Sequence, residues 1–130
     1  MKTVTAAIIF QNNHVLLTRR KNGQMLEGYW EFPGGKMEKG ETPASCLERE
    51  LLEELGVEAT AGDIIGESIY EYDHGTINLL GIETKITEYN FCLSVHDKIE
   101  WVLIKNLTRY KLAPADIPIA KTIMELSNNV

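Results

Sequence analysis

Residues 41–57 read ETPASCLERELLEELGV and carry the clearest helix signal in the chain. Thr42 is a favoured N-cap residue, Pro43 suits the first helical position, and Gly56 suits the position just after the last turn. Apolar residues recur at helical spacing and define one stripe: Ala44, Leu47, Leu51 and Leu55. The stretch therefore predicts a capped amphipathic helix that packs its leucines against a core.

The side of this predicted helix away from the leucines is crowded with carboxylates. Glu50, Glu53 and Glu54 stand at i, i+3 and i+4 and share one side, while Arg49 is the only cation between residues 44 and 62. Like charges at this spacing repel by about 0.2–0.5 kcal/mol per pair. Two interpretations are open at this point. The face is either a solvated acidic surface or a set of oxygen ligands for a hard divalent cation, which would relieve the repulsion.

A longer pattern contains these carboxylates and favours the second interpretation. It has the form G-x5-E-x7-R-E-U-x-E-E-x-G-U, where U is aliphatic, and is filled by Gly35, Glu41, Arg49, Glu50, Leu51, Glu53, Glu54, Gly56 and Val57. This resembles the complete box of the Nudix hydrolases, which cleave nucleoside diphosphates linked to another moiety. The resemblance implies the α+β class: an α/β/α sandwich with a mixed central β-sheet between helices, in which the box forms a loop–helix–loop.

The resemblance also implies a metal site. Mg²⁺, for which Mn²⁺ can substitute, would be bound by Glu50, Glu53 and Glu54 together with a backbone carbonyl of Gly34 or Gly35, of which we take Gly35. Glycines at that point agree with this role, because they allow a backbone to approach a ligand closely.

The implied catalytic residues belong to the same box. In the family the arginine matching Arg49 orients the glutamates, and the glutamate matching Glu41 helps to hold the loop. We therefore expect an enzyme whose catalytic set is Glu53, Glu50, Arg49 and Glu41. Hydrolysis of a phosphoanhydride requires neutralised phosphate charge and an activated in-line water, which carboxylate-bound metal ions supply. Any one of the glutamates could act as the base.

The remaining sequence predicts strands and one further helix. Strands are predicted at 4–10, 14–20, 64–72, 76–86 and 99–107, with a hairpin turn at QNNH and a short helical turn at 106–110. Residues 30–36, WEFPGGK, are predicted to break regular structure, and residues 116–126 to form a C-terminal helix. Strands interleaved with two helices agree with an α+β fold whose central sheet lies between helices.

Two flanking segments bear on the substrate. WEFPGGK and LAPADIP (residues 112–118) are typical of the MutT-like branch, whose members convert a nucleoside triphosphate to the monophosphate and pyrophosphate. LAPADIP resembles bacterial pyrophosphohydrolases that act on cytidine triphosphates and modified deoxynucleotides, so we expect a CTP-like substrate or a modified one such as 8-oxo-dGTP. Tyr70 and Tyr72 keep diadenosine polyphosphate hydrolysis open. The alternative that is not an enzyme is a nucleotide-binding sensor without turnover, and the intact box argues against it.

Four residues outside the carboxylate helix are candidates for substrate binding. Arg20 is a candidate phosphate contact, and Lys36 could steady the leaving pyrophosphate or be an ordinary surface lysine. Phe32 could stack on a base or be part of the core. Asp116 could accept hydrogen bonds from a base edge rich in N–H donors, such as the amino group of cytosine, or could cap the C-terminal helix.

The sequence departs from the family at one position. Relatives often carry a Glu-His pair in the loop before the late-strand tryptophan, and this chain has Val95-His96 there. Asp97, Glu100 or a water could replace the missing glutamate. We interpret His96 as a loop histidine and not as a catalyst.

Length, charge and composition set the outer limits. The 130 residues suit one domain spanning 1–130, and the net charge of −6 argues against binding a nucleic-acid polymer. No apolar run approaches the roughly 20 residues of a membrane helix. Cys46 and Cys92 have no metal-ligand spacing and are expected as free thiols in a reducing cytoplasm. We expect a monomer, with a dimer as the alternative.

Overall fold

The computed structural model describes residues 1–128, which form eight strands, two α-helices and one 3₁₀ helix. In chain order these are β1 (Lys2–Ile8), β2 (Phe10–Gln11), β3 (His14–Arg20), β4 (Trp30–Glu31), β5 (Gly34–Lys36), α1 (Pro43–Leu55), β6 (Ala59–Tyr72), β7 (Gly75–Ile86), β8 (His96–Leu103), the 3₁₀ helix (Ile104–Arg109) and α2 (Asp116–Asn128). No helix within this part of the chain is long and apolar enough to cross a membrane.

The strands form two four-stranded sheets. The first has the order β5-β1-β7-β6 and is mixed, because β1 runs parallel to β7 while its other pairs are antiparallel. In the second sheet β3 pairs with β2, β4 and β8, all antiparallel. Residues 30–36 therefore connect the two sheets, because β4 belongs to the second sheet and β5 to the first.

The mixed sheet lies between the two α-helices. Successive residues of β1 point to opposite faces: Ala6 and Ile8 join the core cluster that contains Ile119 and Ile123 of α2. Ala7 joins the other cluster, which contains the buried leucines of α1: Leu47, Leu51 and Leu55. This arrangement confirms the predicted mixed sheet between helices and places α1 along one face of β1 and β5.

The helix α1 has the predicted ends. The Thr42 hydroxyl accepts a hydrogen bond from the Ser45 N–H at 3.1 Å, and the Ser45 hydroxyl accepts one from the Thr42 N–H at 3.0 Å. Gly56 terminates the helix with φ 70°, a conformation that favours glycine. The N–H of Cys92 then reaches back to the Leu55 carbonyl at 2.9 Å. Both ends of the carboxylate-bearing helix are thus fixed by hydrogen bonds from outside its own turns.

Two predictions need correction. WEFPGGK contains the predicted break, at Phe32 and Pro33, but on either side of it Trp30–Glu31 pairs with β3 and Gly34–Lys36 pairs with β1. His96 is not in a loop but is the first residue of β8, and its residue is 4% exposed. In both cases distant strands supply the pairing, so the local pattern held no sign of it.

Candidate active site

An open cleft of about 1030 Å³ lies where the two sheets and the two α-helices meet. Seven of the candidate residues line it: Arg20, Phe32, Gly35, Lys36, Glu50, Glu54 and Asp116. The other three candidates, Glu41, Arg49 and Glu53, do not line it: Arg49 bonds to the lining residue Glu50, and Glu41 and Glu53 bond to Arg49. The cleft is therefore the place where the sequence-predicted residues come together.

Arg49 organises the carboxylates on α1. Its Nε and Nη2 donate to the two oxygens of Glu41 at 2.7 and 2.9 Å, and Nη1 donates to Glu50 at 2.8 Å and to Glu53 at 3.1 Å. Nη2 also donates to the backbone carbonyl of Lys36 at 3.2 Å. Only the planar five-donor fork of arginine can make so many bonds at once, and lysine would not replace it.

Glu41 fixes the loop between β5 and α1. It binds Arg49 with both oxygens and accepts a hydrogen bond from the Glu38 N–H at 2.7 Å. The Arg49 guanidinium, followed by this N–H, lowers the pKa of the Glu41 carboxyl to about 2. The loop is thereby attached to the same guanidinium that holds Glu50.

Glu50 lies directly against Gly35. A Cβ at Gly35 would overlap the carboxyl group of Glu50, so the lack of a side chain there is what lets Glu50 reach the cleft wall. The Gly35 carbonyl accepts a hydrogen bond from the Thr5 hydroxyl at 3.2 Å, which fixes its direction. Glycine at this position thus makes room for a carboxylate that the helix would otherwise hold away from the backbone.

Gly34 serves a different purpose. Its φ is 157°, and a Cβ there would overlap the carbonyl of Thr5, in the strand β1 with which it pairs. The obstacle at Gly34 is therefore backbone, whereas at Gly35 it is a side chain.

Glu54 shares the cleft wall with Glu50. Burial raises the pKa of the Glu54 carboxyl to about 8, and the negative charges of Glu50 and Glu31 act in the same direction, against a smaller opposite effect of Arg20. A partly buried carboxylate this close to two others is disfavoured in its charged form. A cation at this wall would remove that disadvantage.

Glu53 has a different position from Glu50 and Glu54. Its side chain is 60% exposed and bonds to Arg49 Nη1 at the rim of the helix. Within residues 1–128, no three Asp, Glu, His or Cys side chains converge on a common ion position. The structure thus brings together Glu50, Glu54 and the Gly35 backbone, and leaves Glu53 beside them.

These residues fit a hard divalent cation. Two carboxylates and nearby carbonyl groups provide only oxygen donors, which Mg²⁺ and Mn²⁺ prefer. Magnesium commonly binds through one or two carboxylates and takes its other ligands from water and substrate phosphate. The cradle that Gly35 leaves for Glu50, and the crowded charge around Glu54, both agree with such an ion.

A second set of polar residues comes from β3, β4 and β8 and lies near Glu54. Arg20 Nε lies 3.2 Å from each of the two carboxylate oxygens of Glu31, and Oε2 of Glu31 also lies 2.9 Å from His96 Nε2. Glu31 was not predicted as a site residue, although a charged residue between Trp30 and Phe32 in WEFPGG is a sequence signal that could have identified it. Arg20 lies in the cleft as predicted, and it faces a carboxylate there.

Asp116 is buried and adjoins the same group. Its Oδ2 accepts a hydrogen bond from the Phe32 N–H at 2.9 Å, and the residue is 6% exposed. Burial raises the pKa of the Asp116 carboxyl well above its ordinary value, with the charge of Glu31 second. Asp116 is the first residue of α2, but this bond ties it to β4 and the cleft. Phe32 is itself 3% exposed, so its ring belongs largely to the core.

The residues proposed to replace the missing glutamate lie elsewhere. Asp97 forms a two-bond ion pair with Arg19, both bonds at 2.8 Å. Glu100 accepts a hydrogen bond from the Tyr110 hydroxyl at 2.8 Å. Neither residue lines the cleft, so neither takes the position suggested from the sequence.

The β6–β7 hairpin adds an aromatic wall. Tyr72 and His74 both line the cleft, with their rings stacked at 5.0 Å and 11°. The Tyr72 hydroxyl accepts a hydrogen bond from the Ala115 N–H at 2.9 Å, which ties the hairpin to the residue before Asp116. The sequence marked Tyr72 only as a sign of another branch, although alternation along β6 places it on the face of Tyr70.

Comparisons with known proteins agree with this geometry. The model of the NUDIX domain matches residues 1–123. The chain is 36% identical over 128 residues to the CTP pyrophosphohydrolase of Escherichia coli (strain K12), covering 97% of this chain and 93% of that protein. It is 35% identical over 121 residues to the putative 8-oxo-dGTP diphosphatase 2 of Mycobacterium tuberculosis (strain ATCC 25618 / H37Rv), covering 87% and 81%. The solution structure of the E. coli ORF135 protein matches with a TM-score of 0.88 at 35% identity, covering 99% of this chain and 92% of that one.

Proposed function

Because the chain belongs to the Nudix family of hydrolases, we propose that it hydrolyses a nucleoside triphosphate to the monophosphate and pyrophosphate, with Mg²⁺ as its metal. The observation that carries the proposal is the position of the box. Arg49 holds Glu41, Glu50 and Glu53 together, and Glu50 and Glu54 face a cleft of about 1030 Å³. A cleft of this size can accommodate a nucleotide.

Glu50 and Glu54, with Glu53 and the Gly35 carbonyl, are the proposed ligands of the divalent cation. The cation supplies charge neutralisation at the phosphate oxygens and activation of the attacking water. Arg49 keeps Glu50 and Glu53 in place before any ligand arrives, so the carboxylates do not have to be ordered during binding. Arg49 also holds the backbone carbonyl of Lys36 at the end of β5, and Lys36 lines the cleft and offers its ammonium to the leaving pyrophosphate.

In this proposal the base of a cytidine triphosphate lies beside Glu31 and Asp116. Glu31 and Asp116 are hydrogen-bond acceptors there when ionised, and Asp116 becomes a donor when protonated. The amino group of cytosine donates, and its ring nitrogen and carbonyl accept, so both protonation states of Asp116 can be used. The 36% identity to a CTP pyrophosphohydrolase supports this choice. An oxidised guanine triphosphate is the second candidate, because it also carries N–H donors and a relative at 35% identity is named for it.

We also propose that residues 1–130 act as a single domain and a monomer in a reducing compartment such as the cytoplasm. The two cysteines support the compartment, since Cys46 and Cys92 are both free thiols. The net charge of −6 supports a small nucleotide, and not a nucleic-acid polymer, as the anionic partner.

The test is a pyrophosphate-release screen at mildly alkaline pH, with and without Mg²⁺. It covers CTP, dCTP, 5-methyl-dCTP, dGTP, 8-oxo-dGTP, ADP-ribose and a diadenosine polyphosphate, with the monophosphate products identified. We expect metal-dependent turnover, highest with a cytidine triphosphate. Preference for ADP-ribose or the dinucleotide would overturn the substrate class. Tight nucleotide binding without turnover of any compound would support a sensor.

A further inference from the structure

The β3–β8 ladder contains a bulge next to the cleft. Arg19 is opposite Lys98, but the next residue, Arg20, is opposite His96, so Asp97 is the extra residue. The Arg19–Asp97 ion pair, with both bonds at 2.8 Å, holds the extra residue on the outside. Bulges of this kind change the direction of side chains beside functional sites.

The bulge changes which side chain meets Glu31. Glu31 is opposite Thr18 in β4–β3 pairing, and Thr18 and Arg20 share a face of β3. In a regular ladder Asp97 would be opposite Arg20 and would bring a carboxylate towards Glu31. With the bulge, His96 takes that position and places a ring nitrogen 2.9 Å from the Glu31 oxygen.

The His96 side chain makes one polar contact within the described residues. Its side chain is fully buried, Nε2 faces Glu31, and Nδ1 has no hydrogen-bond partner within residues 1–128. Because an ionised carboxylate only accepts hydrogen bonds, the Nε2–H of His96 donates to Glu31. Burying Nδ1 without a partner has a free-energy cost, which the Glu31 contact has to offset.

We propose that His96 is a positioning residue, which holds one oxygen of Glu31 so that Arg20 keeps its terminal nitrogens available to the phosphates of the substrate. Arg20 contacts Glu31 only through Nε, which lies 3.2 Å from each carboxylate oxygen. Its terminal nitrogens have no hydrogen bond in the part of the chain that the structure describes, and the residue lines the cleft. If Glu31 lost His96, it would turn so that one oxygen met Nε and the other met a terminal nitrogen of Arg20, the two-bond geometry that arginine and carboxylate favour.

This inference rests on the proposed function, because it concerns how the same cleft receives a triphosphate. The test compares His96→Leu, which removes the donor, with His96→Gln, whose amide restores an N–H at a similar reach. Each is made alone and in the Glu31→Gln background. His14→Leu, at the other end of β3, is the control, because His14 bonds only to the Asn12 carbonyl in the hairpin turn.

We expect His96→Leu to raise KM for the best triphosphate about tenfold, with kcat changed less than about threefold, as the loss of one charge-assisted contact predicts. His96→Gln should recover most of the loss, and His96→Leu should change KM less than about twofold once Glu31 is Gln. Equal losses in both backgrounds, or a Gln variant as impaired as the Leu variant, would overturn the positioning role. Thermal melts of every variant identify losses that come from unfolding.

A measurement on the unaltered protein does not depend on variant folding or on turnover. Nitrogen NMR of the histidine rings should show a proton on His96 Nε2 that is slow to exchange with solvent. A proton on Nδ1 with a bare Nε2 would contradict the proposal. If the wild-type protein hydrolyses no nucleotide but this signal is present, the proposed function fails while the His96–Glu31 contact stands.

Discussion

Arg49 and Arg20 each hold carboxylates at the cleft, but their surroundings differ. Arg49 binds Glu41, Glu50 and Glu53, which lie within twelve residues of one another along one loop and helix. Arg20 belongs to a group in which Glu31, His96 and Asp116 come from β4, β8 and the start of α2. The first group is held by one element whose ends are capped, whereas the second depends on strand register across the molecule. Changes in the first group should therefore affect chemistry, and changes in the second should affect substrate binding.

The largest expected effect is on the α1 side. Glu54→Gln should lower kcat by about 10²-fold or more, because a proposed ligand of the metal is lost and such an ion is worth several kcal/mol in the transition state. The metal-free protein should melt no lower than wild type, because burial and the nearby carboxylates already disfavour the charged form of Glu54. Steady-state kinetics and thermal melts measure both.

Glu58→Gln is the matched control for Glu54→Gln, since Glu58 is an exposed carboxylate just beyond the same helix. Glu53→Gln, made in parallel, should also remove most turnover while leaving the fold intact. Unchanged turnover in both Glu53→Gln and Glu54→Gln would remove the basis for a metal site on α1.

On the other side of the cleft, Asp116→Ala should alter the ranking of bases more than kcat. Loss of a buried carboxyl that bonds to the base changes the binding free energy by about 1–3 kcal/mol, on the order of tenfold or more in relative kcat/KM. The measurement is kcat/KM for cytidine, uridine and guanosine triphosphates in parallel. An unchanged ranking with only a lower melting temperature would mean that Asp116 serves the Phe32 N–H and nothing else.

An effect on acid stability should distinguish Glu41 from other carboxylates. The folded protein holds the Glu41 pKa at about 2, below the ordinary 4.5, so its stabilisation is complete above the ordinary value and disappears as pH falls towards 2. Glu41→Gln should therefore show a shallower loss of unfolding free energy in acid than wild type. Urea unfolding at several pH values from 6 down to about 2.5 measures this. Identical slopes in the two proteins would show that the Arg49–Glu41 contact is no stronger than an exposed pair.

The smallest effect is expected at the outer side of the bulge. Asp97→Asn should cost about 0.2–1 kcal/mol of stability, the range for exposed ion pairs, because both Arg19 and Asp97 are about one-third exposed. Catalysis should change less than about threefold, because the β3–β8 ladder holds His96 without this pair. A large rise in KM for the triphosphate would mean that the ion pair itself keeps the bulge in place, and the two sides of the cleft would then be less separate than their contacts indicate.

The Arg49 group could be predicted from the sequence more completely than the Arg20 group, and the reason is physical. Thr42, Pro43 and Gly56 act within a few residues of themselves, so the ends of α1 could be predicted from local rules, and the mixed sheet between helices followed from the order of elements. The partners of Arg20 could not be predicted in the same way. The extra residue Asp97 leaves no local mark, yet it decides that His96 and not Asp97 meets Glu31.

Gly34 and Gly35 are neighbours in the sequence, but the atoms around them predict different effects of substitution. Any side chain at Gly34 would overlap the backbone of β1, so we expect variants at this position not to fold. The three atoms nearest to a methyl group at Gly35 all belong to the side chain of Glu50, which can turn aside. Gly35→Ala would therefore be a folded protein with an intact nucleotide cleft and a displaced carboxylate. We expect such a variant to bind the nucleotide without hydrolysing it. It could therefore be used to isolate the substrate of the wild-type enzyme from a cell extract.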